Sequence, residues 1–217
     1  MTPDLSRRSL AKGAAWAAPI VAASATIPAY ASSKPRYSIS ASWFGRLVYS
    51  QSASCGTNQR QVSTMGLWTN ARAGGTAAAG FAVPPVENAP QTTVTLSNIR
   101  QQVAFPAGLV SSITVTSGSW ANPTVVRNQN INNDGYLWDI FTFNWIGSNT
   151  GQSSDRSVPW ANSPMTTTMN WNNTTCFNQD VFYRRYFWAR LLGSYTTANG
   201  FSYTIPTDWL QTPLGFA

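Results

Sequence analysis

Apolar and small polar residues alternate from Tyr37 onward. Tyr37-Ser38-Ile39-Ser40-Ala41-Ser42-Trp43 repeats with period two, the pattern of a strand with one covered face. Runs of β-branched and aromatic residues return over 46–49, 62–68, 92–99, 110–116 and 124–129, each closed by Gly, Pro, Asn or Ser. No stretch in this half of the chain repeats at the helical period. The clearest hairpin turns 124–129 through Asn132-Asn133-Asp134-Gly135 into a strand over 136–146, because Asp-Gly tolerates the positive φ of a tight turn. In that second strand Leu137, Phe141, Phe143 and Trp145 face one way. Tyr136, Trp138 and Ile140 face the other before Thr142 and Asn144 turn it polar, as expected of a central strand covered at one end.

Nearer the C-terminus, 181–192 is apolar on both parities, which suits a short buried helix or a strand. Phe182, Tyr183, Tyr186, Phe187 and Trp188 favour the strand. A last strand is expected over 201–205, followed by a helical turn or loop over 206–210. Gly74-Gly75, an alanine run, Gly80 and Pro84-Pro85 mark 71–90 as a long surface loop. Many short strands without intervening helices predict an all-β domain, an antiparallel β-sandwich with long loops.

The first 31 residues do not belong to that domain. Ser6-Arg7-Arg8-Ser9-Leu10-Ala11-Lys12 is followed by an Ala- and Val-rich stretch from Gly13 to Ile27, too short to span a bilayer, and then by Ala29-Tyr30-Ala31 with small residues at −3 and −1. Ser6, Arg7, Arg8, Leu10 and Lys12 resemble the twin-arginine signal consensus. The whole leader resembles those of secreted proteins of high-GC Gram-positive bacteria. The resemblance implies passage through the twin-arginine translocase, cleavage by signal peptidase after Ala31, and a single extracellular domain over 32–217. No cysteine stands at the cleavage boundary and no sorting motif closes the tail. The expected product is therefore secreted, without a membrane span, or held only loosely at the cell wall.

Composition agrees with export. Charged residues are 10% of the chain, against about 25% in an average soluble domain, and Ser, Thr, Asn and Gln replace them. Of the net charge of +7, the leader accounts for +2, and the remaining +5 is carried by scattered arginines. They form no phosphate-tracking stripe, which speaks against a nucleic-acid partner. Cys55 and Cys176 are the two cysteines, and outside the cytoplasm they are expected to pair as a disulfide. Immunoglobulin domains place a tryptophan shortly after their first core cysteine, as Trp68 follows Cys55. Cys176 lies too far downstream for their inter-sheet bridge, and Thr174 stands where their corner tyrosine would be, so the likeness is a loose one.

Candidate chemistry is sparse. The chain has no histidine, which removes Ser-His-Asp and Cys-His catalysis and the usual zinc sets. A glycoside hydrolase would need two of Glu87, Asp134, Asp139, Asp155, Asp180 and Asp208 across a cleft. Their Gly, Asn, Gln, Ser and Thr neighbours point instead to turn residues and solvated charges. Asn130-Ile131-Asn132-Asn133-Asp134-Gly135 begins like a calcium loop, but Phe141 occupies the twelfth position, where the bidentate glutamate belongs. No metal, cofactor or catalytic residue is assigned. Trp120, Trp160 and Trp171 sit among turn residues, where exposed rings beside Asn side chains would stack on sugars. The expected function is adhesion or interaction at the cell surface without catalysis. The alternatives are a module binding cell-wall or host glycan through those tryptophans, and a carboxylate-dependent glycosidase.

Overall fold

The computed structural model describes residues 36–42, 44–68, 80–86, 89–131, 135–155, 158–178 and 187–212. The leader lies outside these residues, and so do Trp43, Glu87, Asp134 and Asp180. Every regular element among the described residues is a strand. In chain order they are β1 (Ser40–Ser42), β2 (Phe44–Ser50), β3 (Gln59–Trp68), β4 (Gly80–Ala82), β5 (Thr93–Pro106), β6 (Val110–Ser117) and β7 (Thr124–Gln129). There follow β8 (Trp138–Asn144), β9 (Thr150–Gln152), β10 (Thr166–Trp171), β11 (Phe177–Asn178), β12 (Phe187–Thr197), β13 (Ser202–Thr204) and β14 (Leu210–Thr212).

The strands form an antiparallel sandwich. One sheet has β3 at its centre, flanked by β2, β11 and β10, with β6 beyond β10. The other runs β13-β12-β5-β8-β7, with β14 also on β12 and β9 also on β5. β1 and β4 make a small third sheet. Val62 and Met65 of β3, Ile113 of β6 and Met169 of β10 meet Val103 and Phe105 of β5, Phe141 and Phe143 of β8, and Phe187 and Leu191 of β12 in one core. As expected, β8 is an interior strand with Phe141, Phe143 and Trp145 turned inward, but Leu137 is half exposed. On the other face Trp138 is buried and packs edge-on to Trp188.

Two departures from the expected pattern have physical causes. β5 does not stop at residue 99, because a bulge reverses its parity there. Leu192 pairs with Arg100 and Ser194 with Ser97, so Gly193 alone faces Asn98 and Ile99. The buried set thereby changes from Val94 and Leu96 to Ile99, Gln101, Val103 and Phe105 without leaving the core face. Asn98 takes φ 52° and Gly193 φ 129°, and a Cβ on Gly193 would stand 2.8 Å from the carbonyl oxygens of Ser97 and Asn98. The second departure is in the stretch expected to be a surface loop. There Gly80–Ala82 forms β4, and Phe81 is driven into the core by the aromatic rings around it.

The Cys55–Cys176 disulfide is formed, with Cα atoms 5.6 Å apart. It ties the loop after β2 to the segment before β11 at the rim of one sheet, whereas the immunoglobulin bridge crosses the core between two sheets. The likeness to immunoglobulin domains ends at the two-sheet architecture.

Candidate functional site

Asp139 is the buried carboxylate among the described residues, at 1% exposure. β8 places it on the inward parity with Phe141 and Phe143, opposite a bulge in β7. Val126 pairs with Ile140 and Gln129 with Trp138, so β7 carries one extra residue, and Asn128 takes φ 56°. The bulge turns the Asn128 N–H to Asp139 Oδ1 at 3.0 Å, while Gly108, in the turn between β5 and β6, donates its N–H to Oδ2 at 2.9 Å. Arg127 Nη1 completes the shell at 2.8 Å from Oδ2. The same guanidinium donates to the carbonyls of Val110 (2.6 Å) and Ser111 (2.8 Å) and lies 5.3 Å from the Phe141 ring centre. β6 is the last strand of its sheet, so Arg127 supplies donors to carbonyls that have no neighbouring strand on that side. Asn122 does the same from its acceptor, taking the Val115 N–H at 2.8 Å.

A depression of about 360 Å³ opens over this cluster, lined by Gly108, Val110, Ser111, Arg127, Asn128 and Asp139. Its chemistry is already spent. Both Asp139 oxygens are occupied, and Arg127 bridges the two sheets. The expectation that the acids are solvated fails at Asp139. The paired carboxylates of a glycosidase are not assembled here, because Asp139 is the one acid in the lining. Asp155 and Asp208 are exposed. Among the described residues, no group of three His, Cys, Asp or Glu side chains gathers as a metal site.

The structure also corrects the proposed sugar platform. Trp120 and Trp160 are 3% and 4% exposed, and their indole N–H groups donate inward, to the carbonyls of Ser163 (2.8 Å) and Ser148 (3.0 Å). Phe81 meets Trp120 and Trp145 edge-on at 5.9 and 5.2 Å and stacks on Trp160 at 6.2 Å. Burying such rings removes 150–250 Å² each from water, so the turns that carry them fold inward. Neither offers a face to a ligand. Trp171 keeps part of its ring in solvent but donates to the Val62 carbonyl at 3.2 Å and packs against the core.

A different surface, unmarked by local spacing, is assembled on the outer side of the larger sheet. Arg190 of β12, Gln102 of β5, Thr142 of β8 and Thr124 of β7 stand in register across four strands. Arg190 Nε donates to Gln102 Oε1 at 2.7 Å, and Gln102 Nε2 donates to Thr142 Oγ1 at 2.9 Å. Arg190 Nη1 bonds the Thr207 carbonyl at 2.7 Å, and the guanidinium lies over Trp209 with its carbon 4.2 Å from the ring centre. Arg100, one rung away beside Asn144, is exposed. Burial first, and then the Arg100 charge, lower the Arg190 pKa from its ordinary value. Comparison with protein-family models, curated proteins and solved structures finds no match.

Proposed function

We propose that the mature domain is a non-catalytic interaction protein, secreted or loosely held at the cell envelope, that meets its partner through the outer faces of its sheets. The observation that carries this reading is the fate of Asp139. The carboxylate that the fold buries is used to join β7, β8 and the turn before β6, and both its oxygens are filled. The outer faces carry neutral polar groups in register, with hydroxyl and amide capacity beyond their mutual bonds: Ser112 opposite Asn170 and Thr114 opposite Thr168 on one sheet, and the Gln102–Thr142 rung on the other.

Two features support the setting. Arg7, Arg8, Ala29 and Ala31 stand where a twin-arginine signal and its cleavage site would have them, and the disulfide suits an oxidising compartment. The test is to express the full chain in a host with a twin-arginine pathway and follow where it goes. Mass spectrometry should find a mature N-terminus at Ser32, and Arg7→Lys with Arg8→Lys should leave the precursor inside. The purified mature protein should then sediment with whole cells or an envelope fraction. A protein that is exported but sediments with neither would refute the interaction reading.

A further inference from the structure

We propose that the outer face of the larger sheet, around Arg100, Arg190 and Trp209, binds a carboxylated polysaccharide. The proposal rests on the reading of the domain as an interaction protein and names the ligand and site for it.

Charge comes first. Arg100 and Arg190 are diagonal neighbours on paired strands, and such residues stand about 7–8 Å apart. Among the described residues neither is paired with a carboxylate, since the ion pair there is Arg127–Asp139. Two like charges at this spacing disfavour each other, and an anion between them relieves that cost.

Orientation comes second. A free arginine side chain gives up rotamer freedom when it binds, but here Trp209, Gln102 and the Thr207 carbonyl already hold the Arg190 guanidinium. Nη2 makes no hydrogen bond among the described residues. Its N–H groups therefore remain to donate a charge-assisted bond to a carboxylate.

The rest of the face selects the kind of anion. Gln102, Thr142 and Thr124 continue from Arg190 across the sheet for roughly 14 Å, three interstrand steps of about 4.8 Å, with Asn144 beside Arg100 on the next rung. Amide and hydroxyl groups of this kind donate to and accept from sugar hydroxyls. An acidic peptide offers carboxylates without hydroxyls, and a neutral glycan offers hydroxyls without charge. A uronic-acid polymer offers both on one extended chain.

The experiment uses the purified mature protein and polygalacturonate, with methyl-esterified polygalacturonate, dextran and polyglutamate as comparators, in 150 mM salt. Polygalacturonate should bind, and esterification, which removes the charge and keeps the hydroxyls, should abolish binding. Arg190→Gln and Arg100→Gln should each weaken binding about tenfold, the worth of one charge-assisted hydrogen bond. Arg36→Gln, which removes an exposed charge elsewhere, should leave affinity unchanged. The Arg100 side chain is exposed and makes no hydrogen bond among the described residues, so its variant tests the site without disturbing the fold. Equal weakening by all three variants, equal binding of dextran, or equally tight binding of polyglutamate would overturn the proposal. Failure to bind polygalacturonate while the protein still sediments with envelope would overturn this site alone. Failure of both would overturn the interaction reading with it.

Discussion

Replacing Asp139 by alanine tests whether the cluster beneath the depression is a structural joint. The substitution removes the acceptor of the Gly108 and Asn128 N–H groups and the counter-charge of Arg127. A buried ion pair broken on one side commonly costs 3–5 kcal/mol. Here the figure belongs at the lower end, because the Arg127 side chain is 38% exposed and keeps its bonds to Val110 and Ser111. About 3 kcal/mol is expected, and at 2–4 °C per kcal/mol for a domain of this size the melting temperature should fall by roughly 6–12 °C. Asp139→Asn retains one acceptor oxygen and should lose about half as much. Thermal melts followed by circular dichroism give the shifts, and hydrogen exchange should show the Gly108 and Asn128 amides losing protection in the alanine variant. A double-mutant cycle with Arg127→Ala should return a coupling of about 1 kcal/mol. An alanine variant melting within about 1 °C of the parent, with both amides still protected, would refute the reasoning.

Four further outcomes are expected. Reducing the disulfide, or replacing Cys55 and Cys176 by serine, releases a loop with a sequence separation of 121 residues. The chain-entropy treatment puts that near 5 kcal/mol, so urea unfolding should show a loss of at least about 3 kcal/mol. Gly193→Ala forces a Cβ against two carbonyl oxygens at positive φ and should cost about 3 kcal/mol, whereas Gly135→Ala, with φ 82° and open space, should cost about 1 kcal/mol. Gln101 is fully buried on the core face with both amide atoms unbonded among the described residues, so Gln101→Leu should raise stability by about 1 kcal/mol in the same melts. Burial, followed by the neighbouring Tyr203 and Tyr37, raises the Tyr195 pKa above its ordinary value. Above about pH 10 the unfolded chain therefore releases a proton that the folded chain retains, and stability should fall as pH rises from there. Tyr195→Phe should remove that part of the slope, read from urea midpoints between pH 9 and 11.

Much of the sandwich was legible because alternation is a local signal. The strand over 124–129 and the interior position of the next one follow from neighbours a few residues apart. The alternation along β5 breaks at residue 99 because the bulge at Asn98 changes its parity there, and the compensating Gly193 lies 95 residues downstream. Asp139 carried a usable sign. It occupies the inward parity between Leu137 and Phe141, and a carboxylate there must be paired. The turn tryptophans misled because turn residues describe the backbone, while a large ring follows the nearest apolar cluster. Arg100 and Arg190 read as scattered charge because only the β5–β12 pairing makes them neighbours.

The rim disulfide also changes how the domain would behave as a tether. A pull on the two ends of the chain travels to Cys55, crosses to Cys176 and leaves, bypassing everything between them. That shielded interval contains all of β3 through β10, some 400 Å of chain if drawn out. Shear from flow or from a moving cell would then strip only β1, β2 and β11–β14, and the molecule would stop lengthening well before it was drawn straight. Adding a thiol would remove that stop, so the reduced mature chain could be drawn out about three times as far.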